Sequence, residues 1–160
     1  MRSCFSFLLI LLLGVASLAT AGRSTNGNWS WINCGRLLTD PMLLTTISIS
    51  PDPPVVGQNA AMGIKINVRK PLDDTPILAN FTLWEHKGAK PVSLDDVDLC
   101  ALIRMHNPDV QCPPKKTGEM AFDIPMDNFK KEWGYFGFNV HAAYANGTEL
   151  GCASIKYGHE

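Results

Sequence analysis

Cysteines are the residues of this chain that could support the widest range of chemistry. Besides Cys4, near the N-terminus, they are Cys34, Cys100, Cys112 and Cys152. A thiolate can ligate zinc, attack a substrate or be oxidised to a disulfide. A zinc site uses closely spaced pairs such as CxxC or HxxxH, and neither occurs here. The histidines are scattered: His86, His106, His141 and His159. We expect no metal site.

The N-terminus indicates the compartment. The chain begins MRSCFSFLLILLLGVASLATAGR, in which Arg2 precedes an apolar run from Phe7 to Val15. That run is shorter than the ~20 residues a membrane span needs. Ala19-Thr20-Ala21 is a small-x-small cleavage signature. We therefore predict a signal peptide over residues 1–21 and a single mature domain over 22–160. The mature protein should be exported, either to the extracellular space or to the endolysosomal lumen.

Four cysteines remain after Cys4 is removed with that segment. An even number in an oxidising compartment predicts two disulfides. Three pairings are possible. The simplest has a local bridge, Cys100–Cys112, and a long one, Cys34–Cys152. Such pairing would leave no cysteine free for catalysis.

In an exported protein, N-x-S/T sequons are acceptors for N-linked glycans. The chain has three such sequons, and none has Pro in the middle position. They begin at Asn28, Asn80 and Asn146. We predict glycosylation at these three asparagines, which must then face solvent.

No recognisable catalytic constellation accompanies the cysteines. There is no G-x-S-x-G elbow and no Gly-rich phosphate loop. The carboxylate pairs Asp73-Asp74 and Asp95-Asp96 are chain neighbours in turns, which point in different directions. The formal net charge is −1, and no basic run suggests nucleic acid. We expect neither an enzyme nor a cofactor.

Short strand-like runs separated by turn signals fill the rest of the chain. Seven are predicted: TISIS, MGIKINVRK, ILANFTLWE, KPVSLDDVDL, EMAFDIP, GYFGFNVHAAY and ELGCASIKY. Long amphipathic helices are absent, although NPDV and MDNFKKEW could each hold a helical turn or two. The pattern predicts an all-β fold, an immunoglobulin-like antiparallel β-sandwich of about seven strands. The outer cysteines would lie before the first strand and in the last one.

Period-two alternation places one set of large apolar side chains on the inner faces of this sandwich. The set is Met62, Ile64, Ile66, Phe81, Leu83, Phe122, Ile124, Phe136, Phe138 and Val140. Alternation alone favours a filled core. It does not distinguish a packed sandwich from two sheets that hold a ligand between them.

In order and spacing, four segments resemble the MD-2-related lipid-recognition family, or ML domain. The segments are INCG, ISISPDPPVVGQNAAMGIKINV, DLC followed by QCPPKKTGEMAFDIPM, and ELGCASIKY. The resemblance covers about Trp31 to Tyr157. It implies that the outer cysteines pair with each other, as do the central two. There is also a local likeness to the ganglioside activator.

The resemblance further implies an apolar cavity between the two sheets that takes a sterol or acyl chains. Val92, Met126 and Phe129 would lie at its mouth. The protein would then be a monomeric carrier of a sterol or phospholipid, in transient contact with membranes or with a lipid-accepting membrane protein. Two alternatives remain at this point. One is a module that presents a lipid to a receptor through Trp29, Trp31 or Trp133, and the other is a plain structural sandwich.

Overall fold

Two antiparallel sheets make up the fold in a computed structural model of the chain. The structure describes residues 21–23, 29–84, 88, 90–127 and 136–158. Within them, the elements follow in this order: β1 (Ala21–Arg23), β2 (Trp29–Asn33), β3 (Met42–Ser50), β4 (Ala60–Val68), β5 (Ile77–Trp84), β6 (Val92–Asp98), α1 (Leu99–His106), β7 (Gly118–Met126), β8 (Phe136–Tyr144) and β9 (Glu149–Tyr157). No helix in these ranges is both long enough and apolar enough to cross a membrane.

The two sheets are of unequal size. The larger has the strand order β1-β2-β9-β8-β5-β6, and the smaller has the order β3-β4-β7. Every neighbouring pair is antiparallel. The predicted all-β sandwich is confirmed.

Alternation along the strands matches the prediction most clearly in β4 and β7. In β7 the buried Met120 and Phe122 alternate with the exposed Glu119, Ala121 and Asp123. Successive side chains of a strand point to opposite faces, so one face enters the core while the other meets solvent. Here the hydrophobic period correctly identified the buried face.

The prediction missed two strands at the N-terminal edge of the larger sheet. β1 and β2 are only 3 and 5 residues long, too short to show a clear alternation. As a result, Cys34 does not precede the first strand; it directly follows β2, and its N–H donates to the Cys152 carbonyl at 3.0 Å.

The helix α1 was also missed. Asp98 caps it by accepting a hydrogen bond from the Ala101 N–H at 2.8 Å. Such a side-chain cap satisfies one of the free N–H groups of a helix start. Of the two predicted helical segments, NPDV follows the end of α1 and forms a turn, with the Val110 N–H donating to the Asn107 carbonyl. In MDNFKKEW, Met126 ends β7 and residues 128–133 lie outside the described residues.

Candidate functional site

An apolar cavity of about 100 Å³ lies between the two sheets. Most of its lining is aliphatic or aromatic, and it comes from both sheets and from α1. The apolar lining residues are Met42, Leu44, Ile64, Ile66, Phe81, Leu99, Leu102, Ile103, Phe122, Ile124, Phe138, Val140, Ala142, Ala153 and Ile155. Such a surface can hold hydrocarbon and offers nothing to stabilise a charge.

Seven of the ten residues predicted to line a cavity do so. They are Ile64, Ile66, Phe81, Phe122, Ile124, Phe138 and Val140. The other three, Met62, Leu83 and Phe136, do not line this cavity. Met62 is buried in the core. Leu83 lies opposite Val92 near the start of β6, and the Phe136 ring packs against Tyr157 with ring centres 5.3 Å apart.

The lining also includes residues that the sequence reasoning did not assign to it. Met42 and Leu44 come from the first three residues of β3, ahead of the predicted strand TISIS. Leu99, Leu102 and Ile103 come from one side of α1. Their spacing of three and four residues is the helical signal that could have identified them.

Two asparagines are the polar side chains in the lining, and both bond to backbone through their amide nitrogen and oxygen. Asn33 donates from Nδ2 to the Leu44 carbonyl and accepts from the Leu44 N–H at Oδ1, both at 2.9 Å. Asn107 makes the same pair of bonds to Asp123, at 2.7 and 3.0 Å. The first pair ties β2 to the opposite sheet, and the second ties the end of α1 to β7. Both amides therefore have a structural role that joins separate elements of the fold.

Asn33→Ala should destabilise the protein much more than Asn107→Ala. Asn33 is buried, so its loss leaves the N–H and carbonyl of Leu44 unpaired at a cost of roughly 3 kcal/mol. Asp123 is exposed, and water can replace the Asn107 amide there. Urea unfolding of the two variants measures the difference. Equal losses would contradict a special role for the inter-sheet bond.

The sheets approach each other most closely at the end of the cavity that holds Asn33. A Cβ added at Gly151 of β9 would lie 2.6 Å from the Met42 carbonyl oxygen of β3. Only glycine allows the two strands this close. At the same end, a disulfide joins Cys34 to Cys152. It fixes the point where the chain leaves the larger sheet for the smaller one.

A second disulfide, Cys100–Cys112, fastens α1 to the segment that follows it. Arg104 reinforces this link by donating from Nη1 to the Cys112 carbonyl at 2.7 Å. Both disulfides are those that the family resemblance implies. α1 is thus held at its start by a disulfide and at its end by Asn107.

Two of the three predicted mouth residues lie at the strand ends farthest from Gly151. Val92 begins β6 and is 56% exposed. Met126 ends β7 in the other sheet and is partly buried against the core. Phe129 lies outside the described residues. The assignment of these residues to a mouth stays a prediction.

The outer cysteines meet a histidine but retain no thiolate. Cys34, His141 and Cys152 lie together, with His141 Nε2 3.4 Å from Cys152 Sγ. Zinc binds thiolate sulfur, and both sulfurs here are consumed by the disulfide. The cluster as it stands therefore offers one imidazole and no cysteine ligand.

The remaining predicted sites lie on the surface or outside the described residues. Asn80 and Asn146 are both exposed, as a glycan requires, whereas Asn28 lies outside the described residues. Trp31 is only 8% exposed, so the prediction that it could face a receptor is wrong. The structure does not describe the side chain of Trp29, or any part of Trp133.

Comparison with known proteins bears directly on this sandwich and its cavity. Residues 28–158 match the family model described as the ML domain. The chain belongs to the ML-domain family. That match spans β2 to β9, so the smaller sheet, the larger sheet except β1, and the whole cavity lining fall within it.

Curated relatives of this ML protein come from fungi. It is 30% identical over 125 residues to a phosphatidylglycerol/phosphatidylinositol transfer protein of Cryptococcus neoformans, covering 72% of this chain and 67% of the relative. It is also 30% identical over 151 residues to the protein of that name from Mycosarcoma maydis, covering 90% of this chain and 73% of the relative.

Solved structures were also compared with this chain. A Niemann-Pick type C2 protein from the Japanese carpenter ant matches with a TM-score of 0.52 and 14% identity, covering 78% of this chain and 94% of that one. Chicken MD-1 complexed with lipid IVa matches with a TM-score of 0.45 and 14% identity, over 83% and 92% of the two chains. At 14% identity, the likeness to the ant protein supports the sandwich architecture and no statement about function.

Proposed function

We propose that this ML protein binds a lipid between its two sheets and transfers it between membranes. The observation that carries the proposal is the apolar cavity, in which the polar side chains Asn33 and Asn107 are both hydrogen-bonded to backbone. Burial of hydrocarbon there contributes roughly 0.8 kcal/mol of binding free energy per CH₂. The entropy lost when the lipid is ordered offsets part of this contribution. Binding and release need no covalent step, so the protein would act as a carrier and not as an enzyme.

The ligand is a sterol or a phospholipid, and the fungal relatives favour a phospholipid. Both relatives are phosphatidylglycerol/phosphatidylinositol transfer proteins by name. The cavity of about 100 Å³ is smaller than the ~300–1,000 Å³ of typical small-molecule sites. A lipid tail must therefore enlarge the cavity as it enters, and a flexible acyl chain can do so one methylene at a time.

The polar end of the lipid would remain outside the cavity. A hydroxyl or phosphate buried without a hydrogen-bond partner costs several kcal/mol. Val92 and Leu94, on β6, are 56% and 50% exposed, and offer an apolar rim for transient contact with a membrane or a membrane protein. Such a carrier would work as a monomer in the extracellular space or the endolysosomal lumen.

Native mass spectrometry with organic extraction, on protein secreted from a eukaryotic host, tests the proposal. The expected result is one sterol or phospholipid per chain. A transfer assay between labelled and unlabelled vesicles then measures the activity. Protein that carries no lipid, and takes up neither added sterol nor added phospholipid, would refute the proposal. In that case the inner faces would be core, and a protein-interaction module would become the leading alternative.

A further inference from the structure

A second concavity opens on the solvent face of the larger sheet and shares two lining residues, Ala142 and Gly151, with the inner cavity. Its volume is about 440 Å³, within the range of small-molecule sites. Its walls mix polar and apolar groups: Leu78, Asn80, Asp96, His141, Ala142, Ala143, Tyr144, Ala145, Gly147, Glu149 and Gly151. We call this surface the outer groove. The lipid proposal makes no use of it.

A transverse row of side chains crosses the outer groove. Asn80 of β5 lies opposite His141 of β8, which in turn lies opposite Cys152 of β9. At one end of the row, the Asp96 N–H donates to Asn80 Oδ1 at 2.8 Å. At the other end, His141 Nε2 is 3.4 Å from Cys152 Sγ. Asn80 therefore stands in the wall of the groove, next to an exposed imidazole.

The Asn80 amide is oriented in a way that suits glycosylation. Asn80, Phe81 and Thr82 form a sequon, and residues two apart on a strand share a face, so Asn80 and Thr82 both point outward. The hydrogen bond from Asp96 holds Oδ1, the atom that a glycosylated asparagine keeps as an acceptor. Within the described residues, Nδ2 makes no hydrogen bond. It is the atom to which the sugar attaches.

We propose that Asn80 carries an N-linked glycan whose first N-acetylglucosamine lies in the outer groove, over His141. The chemistry of the groove suits this occupant. A sugar ring has apolar C–H faces and a polar rim, and the groove offers Ala143 and Ala145 beside His141 and Glu149. The glycan would shield the part of the surface that flanks the Cys34–Cys152 disulfide.

Diethyl pyrocarbonate labelling of the secreted glycoprotein tests this arrangement, with mass spectrometry to read occupancy at Asn80 and modification of each histidine. Thr82→Ala removes the sequon yet keeps Asn80 and its bond to Asp96. We expect His141 to react severalfold faster in this variant. His106, exposed on α1, serves as the internal reference and should not change.

Thr148→Ala is the matched control, because it removes the Asn146 sequon and leaves Asn146 in place. It should leave the His141 rate unchanged. Trimming the folded wild-type protein with an endoglycosidase, which leaves the innermost sugar attached, should keep His141 protected and covers the case that Thr82→Ala fails to fold. An unoccupied Asn80, or a His141 rate equal in wild type and Thr82→Ala, would overturn the proposal. So would exposure of His141 by Thr148→Ala or by trimming.

Discussion

Loss of the Cys34–Cys152 disulfide should lower the free energy of unfolding by about 5 kcal/mol in the chain-entropy model. The bridge closes a loop of 118 residues, so the unfolded chain without it gains a large conformational entropy. That is a substantial part of the ~5–15 kcal/mol by which a domain is usually stable. We expect the Cys34→Ala/Cys152→Ala protein to be secreted poorly and to unfold at a much lower urea concentration.

The matched comparison is Cys100→Ala/Cys112→Ala. That bridge spans 12 residues, for which the same model predicts a smaller loss of about 3 kcal/mol. Unfolding curves of the two double variants, measured under the same conditions, give the order of the two effects. A larger loss for the short bridge would show that its hold on α1 matters more than chain entropy.

Val140→Phe should abolish most lipid binding without unfolding the protein. Val140 lines the cavity and lies between Phe81 and Ala153, its neighbours across the sheet, which also line it. A phenyl ring at this position would occupy the void that a lipid tail needs. We expect affinity for a fluorescent phospholipid to fall about tenfold or more, equivalent to at least ~1.4 kcal/mol. The free energy of unfolding of the lipid-free protein should stay close to that of the wild type, because the added ring fills part of the empty cavity.

His141→Phe is the control for this substitution. It places the same ring on the next residue of β8, on the opposite face of the sheet. Lipid affinity should be unchanged. Equal losses of affinity in the two variants would argue against the cavity between the sheets as the lipid site. An unaltered affinity in Val140→Phe would do the same.

The sequence predicted which faces of the strands are buried, because period two is a property of the strand itself. It could not predict how far along the sandwich the cavity extends. Met62 and Ile64 alternate identically, yet of these two only Ile64 borders the cavity. Position along a sheet depends on where the opposite sheet approaches, as at Gly151 and Met42, and that is a contact between residues distant in sequence.

Two local features account for the lining residues that were missed. A register shift between Leu44 and Thr46 breaks the alternation of β3, so that Leu44 and Ile47 are both buried although they are three residues apart. A bulge of this kind inserts an extra residue and hides a strand from a strict period-two search. α1 has only 8 residues between two strand-like segments, and its start depends on the side chain of Asp98.

The close approach of Gly151 to Met42 and the Asn33–Leu44 hydrogen bonds join the two sheets along one edge. Sheets fixed along one margin can part only by rotation about it. The separation of the sheets then grows with distance from the joined edge and is largest at the margin that carries Val92 and Met126. The protein would therefore adjust to bulkier lipids mainly near the rim, while the space beside Gly151 stays narrow whatever the cargo.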